Sequence, residues 1–261
     1  MHLAGATVLV TGASSGIGAA TAEHLAERGA TVGLVARRAD RLAEVLERCR
    51  AHAPSCAAFV ADLADLERAE AVARDAWEAF GGLDVLVNNA AMPMRRAATD
   101  LSAADVAAVM DLNFHSPVRM TLAVLDRMVA RGSGVVVNVS STGGRLGILH
   151  EAAYCAAKFA LCGWSESLAL DLWDTGVDVR LIVPGPFATE IWDAPDNEPA
   201  AYDGPLEEPI VAARAIADAI EGDAFETYTP DDMRGVVEFK TAAIDAFLAA
   251  TIEAMRPGGV G

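Results

Sequence analysis

The sequence predicts an α/β fold: one doubly wound parallel sheet of about seven strands, helices on both faces and a helical C-terminal extension. Three observations carry this. Short runs rich in Val and Leu alternate with longer amphipathic segments from the first residues onward. These runs show little polar alternation, as expected of strands buried on both faces. The segments between them have the length of helical crossovers, and no linker interrupts them before residue 186.

The elements follow in order. Residues 7–10 form the first strand, which ends at a glycine-rich turn and opens into an amphipathic helix over 17–28, closed by Gly29. A strand over 31–35 precedes a charged helix over 40–52. Residues 57–60 are a third strand, and 66–80 a third helix stopped by Gly81-Gly82. A fourth strand covers 83–87. A long helical region runs over 102–130, with Ser102 as N-cap and Asp105 at the capping-box position. A fifth strand covers 134–139, a helix 151–173, and a sixth strand 177–183, ended by Pro184-Gly185-Pro186. Residues 187–209 carry prolines among acids and show no period, which predicts a binding segment or lid over about 187–210. A helix over 210–220, a candidate strand over 224–228 and a final amphipathic helix over 236–255 complete the chain. The extension covers about 229–261, and its tail, 257–261, is expected to fray.

Composition bounds the function. A single domain of 261 residues buries about three quarters of its unfolded surface without needing a disulfide or a metal. The 20 Lys and Arg against 37 Asp and Glu leave a net charge of −17. Such a surface argues against nucleic acid and anionic membranes as partners. A hydrophobic fraction of 53% and mean hydropathy of +0.29 exclude disorder. The longest stretch without acidic or basic residues, 1–22, is broken by Thr11, Gly12, Ser14, Ser15, Gly16 and Gly18, so it is no membrane helix. It also lacks the basic start of a secretory signal. Cys49, Cys56, Cys155 and Cys162 form no C-x-x-C pair. They read as free thiols in a reducing, cytoplasmic compartment, and no metal-ligand spacing is present.

The first strand–helix junction reads Thr11-Gly12-Ala13-Ser14-Ser15-Gly16-Ile17-Gly18. Gly12 turns the chain sharply out of the strand, Gly16 leaves room for a pyrophosphate, and Gly18 lets the helix sit close to the sheet. The helix N-terminus offers free N–H donors and partial positive charge. This arrangement predicts a dinucleotide site.

The motif TGASSGIG resembles the cofactor motif of the classical short-chain dehydrogenase/reductase (SDR) family. Later landmarks match in order and spacing: Asn88-Asn89-Ala90, Asn113, Ser141, Tyr154-x-x-x-Lys158, and Pro184-Gly185 with Thr189. Single items of this kind arise by chance, but the ordered set over residues 5–190 is specific. The resemblance implies a Rossmann-type domain whose nicotinamide cofactor is bordered by Gly12, Ser14, Ser15, Gly16, Ile17, Gly18, Asn89, Ala90, Tyr154, Lys158, Pro184, Gly185 and Thr189. Thr189 is expected at the carboxamide, and Asp62 and Leu63 at the adenine. For Asp62 alone, a helix N-cap is the competing reading. The resemblance also implies a homodimer or homotetramer. Tyr228-Thr229-Pro230-Asp231-Asp232 and the following helix replace the family's usual closing segment, which contributes to the tetramer.

Cofactor choice rests on the end of the second strand, Val35-Ala36-Arg37-Arg38. No carboxylate stands there to accept from a ribose 2′-OH, and two guanidinium groups follow that suit a 2′-phosphate. NADP(H) is therefore expected over NAD(H), with Arg37 and Arg38 at the phosphate and Ser14 adding a hydroxyl.

Carbonyl reduction needs a hydride and a proton donor near the carbonyl oxygen. Tyr154 and Lys158 lie four apart on one helix face. An ammonium, together with an oxidised nicotinamide, favours the phenolate and lowers the phenol's pKa. By resemblance, Ser141 hydrogen-bonds the substrate oxygen, Asn113 holds a water linked to the lysine, and Lys158 reaches the nicotinamide ribose. His150 reads as a capping or surface residue, and Cys155 with Cys162 as packing. Met92, Met94, Phe187, Ile191 and Trp192 are candidates for an apolar substrate pocket. The acidic segment Glu190, Asp193, Asp196, Glu198, Asp203, Glu207 and Glu208 would cover it and disfavour anions. The expected function is an NADP(H)-dependent oxidoreductase interconverting a carbonyl and an alcohol on a small neutral, apolar substrate. The same acidity ranks a reductase of carrier-protein-bound chains low. A non-enzymatic NADP-binding sensor is the alternative, disfavoured by the complete set of four catalytic residues.

Overall fold

The computed structural model describes residues 1–254. The strands are β1 (Thr7–Thr11), β2 (Thr31–Ala36), β3 (Ala57–Val60), β4 (Val85–Asn88), β5 (Gly134–Val139), β6 (Val177–Pro184) and β7 (Glu226–Thr229). They form one parallel sheet in the order β3-β2-β1-β4-β5-β6-β7. The helices are α1 (Gly16–Glu27), α2 (Ala39–Arg50), α3 (Leu66–Phe80), α4 (Ala103–Met110), α5 (Ser116–Arg131), α6 (Ala152–Asp171), α7 (Pro209–Glu221), α8 (Met233–Ala242) and α9 (Ile244–Ala254). Among the described residues no helix is long and apolar enough to cross a membrane.

The period of two along each strand splits the core into two layers. Val8 and Val10 of β1 join Leu25, Leu42, Ile216 and Ile220 from α1, α2 and α7. Leu9 points the other way, into a layer with Val72, Val124 and Leu168 from α3, α5 and α6. Burying each such side chain contributes about 1.5–3 kcal/mol. The chain leaves β1 toward β2 on one side and returns to β4 on the other. The turns after β1 and β4 therefore diverge and open a crevice at the carboxyl ends of the strands, where open α/β sheets bind ligands.

Three local expectations change. The third strand is half-exposed, with Val60 52% accessible, because β3 is the sheet edge and only one of its faces is covered. The long helical region is interrupted by a π-helical turn at Asp111–His115. Pro117 explains it: a proline lacks the N–H that an unbroken α-helix would aim at the Asn113 carbonyl. The single C-terminal helix is two helices broken at Ala243. The break folds Phe247 back onto Phe239, with ring centroids 6.4 Å apart. Met255 and the tail 257–261 lie outside the described residues. The capping box at Ser102 and Asp105 is present.

Candidate active site

The glycine loop joins β1 to α1 at the crevice. Gly12 has φ 67°, and a Cβ on it would lie 2.9 Å from Ala90 Cα. A Cβ on Gly18 would lie 2.3 Å from the Gly12 carbonyl oxygen and 2.5 Å from Asn89 Nδ2. Only glycine lets the helix approach this closely. The loop is stitched to the end of β4: Thr11 Oγ1 accepts from the backbone N–H of Asn89 and Ala90 at 2.9 and 3.0 Å, and Asn89 Nδ2 donates to the Thr11 carbonyl at 2.8 Å. Asn89 and Ala90 thus brace the loop. Ser15 is the N-cap of α1 but its side chain caps no amide. The first N–H groups of α1, at Gly16, Ile17 and Gly18, have no acceptor within the helix. The space beside Gly16, expected to receive a pyrophosphate, is approached by the lid: a Cβ there would meet Thr189 Cγ2 at 2.9 Å.

The two arginines after β2 behave differently. Arg37 is exposed and makes no hydrogen bond or ion pair among the described residues. Arg38 donates to Ser14 Oγ at 3.1 Å, to Ser15 Oγ at 2.7 Å and to Glu190 Oε2 at 2.7 Å. Asp62 is exposed and its Oδ1 accepts from Ala64 N at 3.0 Å, closing a turn; Leu63 beneath it is buried. The helix N-cap is Asp65, not Asp62, because Asp65 sits where α3 begins and accepts from Glu67 and Arg68 N–H. Pro184 ends β6 against Thr229, and Gly185 N–H donates to the Thr229 carbonyl at 2.9 Å.

Tyr154, Ser141 and Lys158 meet at the start of α6, and Asn113 lies on the π-helical turn before α5. Tyr154 is 8% accessible, and its hydroxyl is in hydrogen-bonding contact with Ser141. Ser141, the residue after the end of β5 and its neighbour Ser140, accepts from Gly143 N–H at 3.0 Å. Lys158 is 2% accessible; its Nζ donates to the Val139 carbonyl at 2.9 Å and lies 5.9 Å from the centre of the Tyr154 ring. Burial lowers the lysine from 10.5 to about 8. Burial also raises the tyrosine well above its usual 10, and Glu151 adds to this. In the protein alone, then, desolvation outweighs the Ser141 hydrogen bond, and Tyr154 moves opposite to the direction expected beside an ammonium and an oxidised nicotinamide. Asn113 stands on the π turn, 1% accessible. Its amide is spent on Met92, accepting from the backbone N–H and donating to the carbonyl, both at 2.9 Å.

Met94, with Val109, Ala153 and Ala157, forms a small apolar cluster beside Tyr154, and Met92 packs on it. Phe187 is 3% accessible, and Trp192 Nε1 donates to the Phe187 carbonyl at 2.6 Å. Ile191 presents its carbonyl to Arg95 at 3.0 Å. An open cleft of about 760 Å³ runs between Ser15 and Gly16 and the lid residues Thr189, Glu190 and Trp192, and its lining does not include Tyr154 or Lys158.

Sequence reasoning missed several contributors. Arg95, 3% accessible, donates to the carbonyls of Ile191, Trp192 and Glu198 at 3.0, 2.7 and 2.9 Å. It pins the lid, and His150 Nδ1 contacts the Glu198 carboxylate. Asn88 donates to Asn138 Oδ1 at 2.9 Å and Asn138 to Ser165 Oγ at 2.9 Å, tying β4, β5 and α6 together. The four cysteines are free and buried, and no cluster of metal ligands occurs among the described residues.

Comparison with known proteins agrees with this fold. The family model for short chain dehydrogenase matches residues 6–199. Galactitol 2-dehydrogenase of Agrobacterium fabrum is 33% identical over 252 residues, covering 96% of this chain and 95% of that protein. A short-chain dehydrogenase from Sphingobium yanoikuyae in complex with NADPH superposes with a TM-score of 0.81 at 28% identity, covering 98% of each chain. A short-chain dehydrogenase/reductase from Burkholderia phymatum in complex with NAD, at 24% identity, shares the fold with a TM-score of 0.86, covering 94% of this chain and 96% of that one.

Proposed function

Because the chain belongs to the short-chain dehydrogenase/reductase family and is an oxidoreductase that uses a nicotinamide dinucleotide and a small-molecule substrate, we propose that it interconverts a carbonyl and an alcohol with NADP(H), using Tyr154 as the proton-transfer group. The single observation that carries this is the meeting of Tyr154, Ser141 and Lys158 at the start of α6, beside a glycine loop with open amides and a free Arg37. The NADPH complex of the Sphingobium relative and the galactitol activity of the Agrobacterium relative support the cofactor and the alcohol chemistry.

The residues present fit the cofactor. The α1 amides and the helix dipole suit a pyrophosphate, and Arg37 and Arg38 suit a 2′-phosphate. Asp62, Leu63, Pro184, Gly185 and Thr189 border the same crevice. The bound nicotinamide supplies or accepts the hydride. The protein's own work is with the proton. Ser141 Oγ, held by Gly143 N–H, is free to polarise the substrate oxygen. Tyr154 Oη gives that oxygen its proton in reduction and takes it in oxidation. Lys158, packed under the tyrosine ring, stabilises the phenolate in the oxidation direction. Pro117 removes the α-helical donor from the Asn113 carbonyl, which suits that carbonyl to hold a water leading to Lys158. Met92, Met94, Phe187, Ile191 and Trp192 would supply the apolar contacts to a neutral substrate.

The test is NADPH oxidation with a panel of neutral ketones, ketoses, aldehydes and small ketoacids, with NADH in parallel. NADPH and neutral carbonyls should be preferred. Tyr154→Phe should lose at least about a hundredfold in kcat, the lower end of general acid–base catalysis. If NADPH binds and no carbonyl is turned over in a Tyr154-dependent way, the protein is instead an NADP-binding sensor.

A further inference from the structure

One acid of the lid is placed unlike the others. Glu190 follows Thr189 and reaches across the glycine loop to the start of α2. Its Oε2 accepts from Arg38 NH1 at 2.7 Å, and its other oxygen is paired with Arg41. Both arginines hold its carboxyl below the usual carboxylate range. Arg38 is fixed at the same time to Ser14 and Ser15, so its position on the phosphate loop is set by three partners. The contact joins elements 149 and 152 residues apart in sequence, which marks it as tertiary rather than local pairing. Directly beside it, Thr189 packs against Gly16. The lid is thus held on the loop at the point where the basic residues gather.

A carboxylate with two oxygens on two guanidinium groups makes the contacts that a phosphate dianion would make. We propose that Glu190 is an internal occupant of the 2′-phosphate subsite: NADP(H) binds by displacing this carboxylate from Arg38 and Arg41, and the displacement unlatches the lid. This rests on the NADP(H) reading. Glu190 then sets two properties together. It lowers the affinity for phosphorylated nucleotides, because part of the binding free energy is used to break the pairs. It also links recognition of the 2′-phosphate to release of the segment that carries Ile191 and Trp192. Arg37, which has no partner among the described residues, is the group that meets the incoming phosphate first.

The experiment is titration of the wild type and Glu190→Gln by calorimetry with 2′,5′-ADP and with 5′-AMP, which differ only in the 2′-phosphate and carry no nicotinamide. Glu190 is half exposed and its pairs are solvated, so the effect is modest. Glu190→Gln should bind 2′,5′-ADP about three- to tenfold more tightly and leave 5′-AMP unchanged. In the wild type, 2′,5′-ADP should also speed protease cleavage within 187–198, as Glu190→Gln alone should. A variant that binds 2′,5′-ADP equally or more weakly overturns the latch, since Glu190 then only positions the arginines or stands apart from the phosphate. A wild type that does not prefer 2′,5′-ADP over 5′-AMP overturns the NADP(H) reading itself, and the latch with it.

Discussion

Lys158 is the largest side chain buried to below 2% or so of its surface, and replacing it offers a quantitative test of the site. In the unfolded chain its ammonium titrates near 10.5; in the folded protein burial brings it to about 8. Between these values the unfolded chain binds the extra proton, so stability rises with pH across this window. Below about 8 the folded protein carries the whole penalty. That penalty is about 3 kcal/mol, at about 1.36 kcal/mol for each tenfold change in proton affinity. About 2 kcal/mol of it is relieved between about pH 7 and about pH 9.5. Lys158→Met keeps most of the stem and removes the titration. It also leaves the Val139 carbonyl without its donor, a loss of about 1–3 kcal/mol that does not depend on pH. The two proteins should therefore have similar stability near neutral pH, and the slope discriminates them. Urea unfolding without nucleotide, at several values from about pH 7 to about pH 9.5, measures both. Tyr154 is common to both proteins and its phenol titrates above this range. The wild type should gain about 2 kcal/mol relative to the variant over the interval. A constant or falling difference would refute the claim that burial holds Lys158 near its switching point. The variant should also lose turnover, because the phenolate loses its neighbouring charge.

Two further outcomes follow from named contacts. Arg95→Met should raise the carbonyl KM by about tenfold while NADPH affinity measured by fluorescence changes little, since three lid carbonyls lose a charged donor. Arg95→Lys should not restore it, because an ammonium lacks the fork that reaches all three; an unchanged KM in both would show that the lid does not depend on this clamp. Gly18→Ala should cost about 1–3 kcal/mol and remove NADPH binding, because the new methyl meets backbone at Gly12 that cannot yield. Thermal unfolding and nucleotide titration check it, and a variant that matches the wild type in both would show the close approach to be dispensable.

The parts of the molecule that were legible in the sequence are those whose cause is local. Val8-Leu9-Val10 and Val135-Val136-Val137 read as strands because both faces are buried, and the capping box at Ser102 reads directly from residue spacing. Pro117 carried a readable signal for the π turn that turns Asn113 inward, since a missing N–H four residues on must alter the helix. Other features depend on partners far along the chain. Ala57–Val60 has the composition of a central strand and is an edge only because nothing pairs beyond it. The break at Ala243 has no glycine or proline to announce it. It follows from the packing of Phe247 and Met233 against the cluster of Tyr228 and Val237.

Charge was the hardest property to read, because its meaning depends on what faces it. A net charge of −17 and seven lid carboxylates suggested a uniformly anionic cover. One of them is neutralised in place, Glu190 by Arg38 and Arg41, and Glu198 is held by the Ala97 N–H and by contact with His150. Arg95, a cation in a loop and thus expected in solvent, is instead buried against lid carbonyls. The lid therefore acts less as a negative screen than as a strap held at two points by cations, Arg38 beside the glycine loop and Arg95 in the loop after β4. A substrate anion would meet the remaining acids, Asp193, Asp196 and Asp203 among them, only where the strap is exposed. The expected preference for a neutral substrate then rests on the apolar side chains proposed for it, Met94 and Phe187 among them, more than on the acidity of the lid.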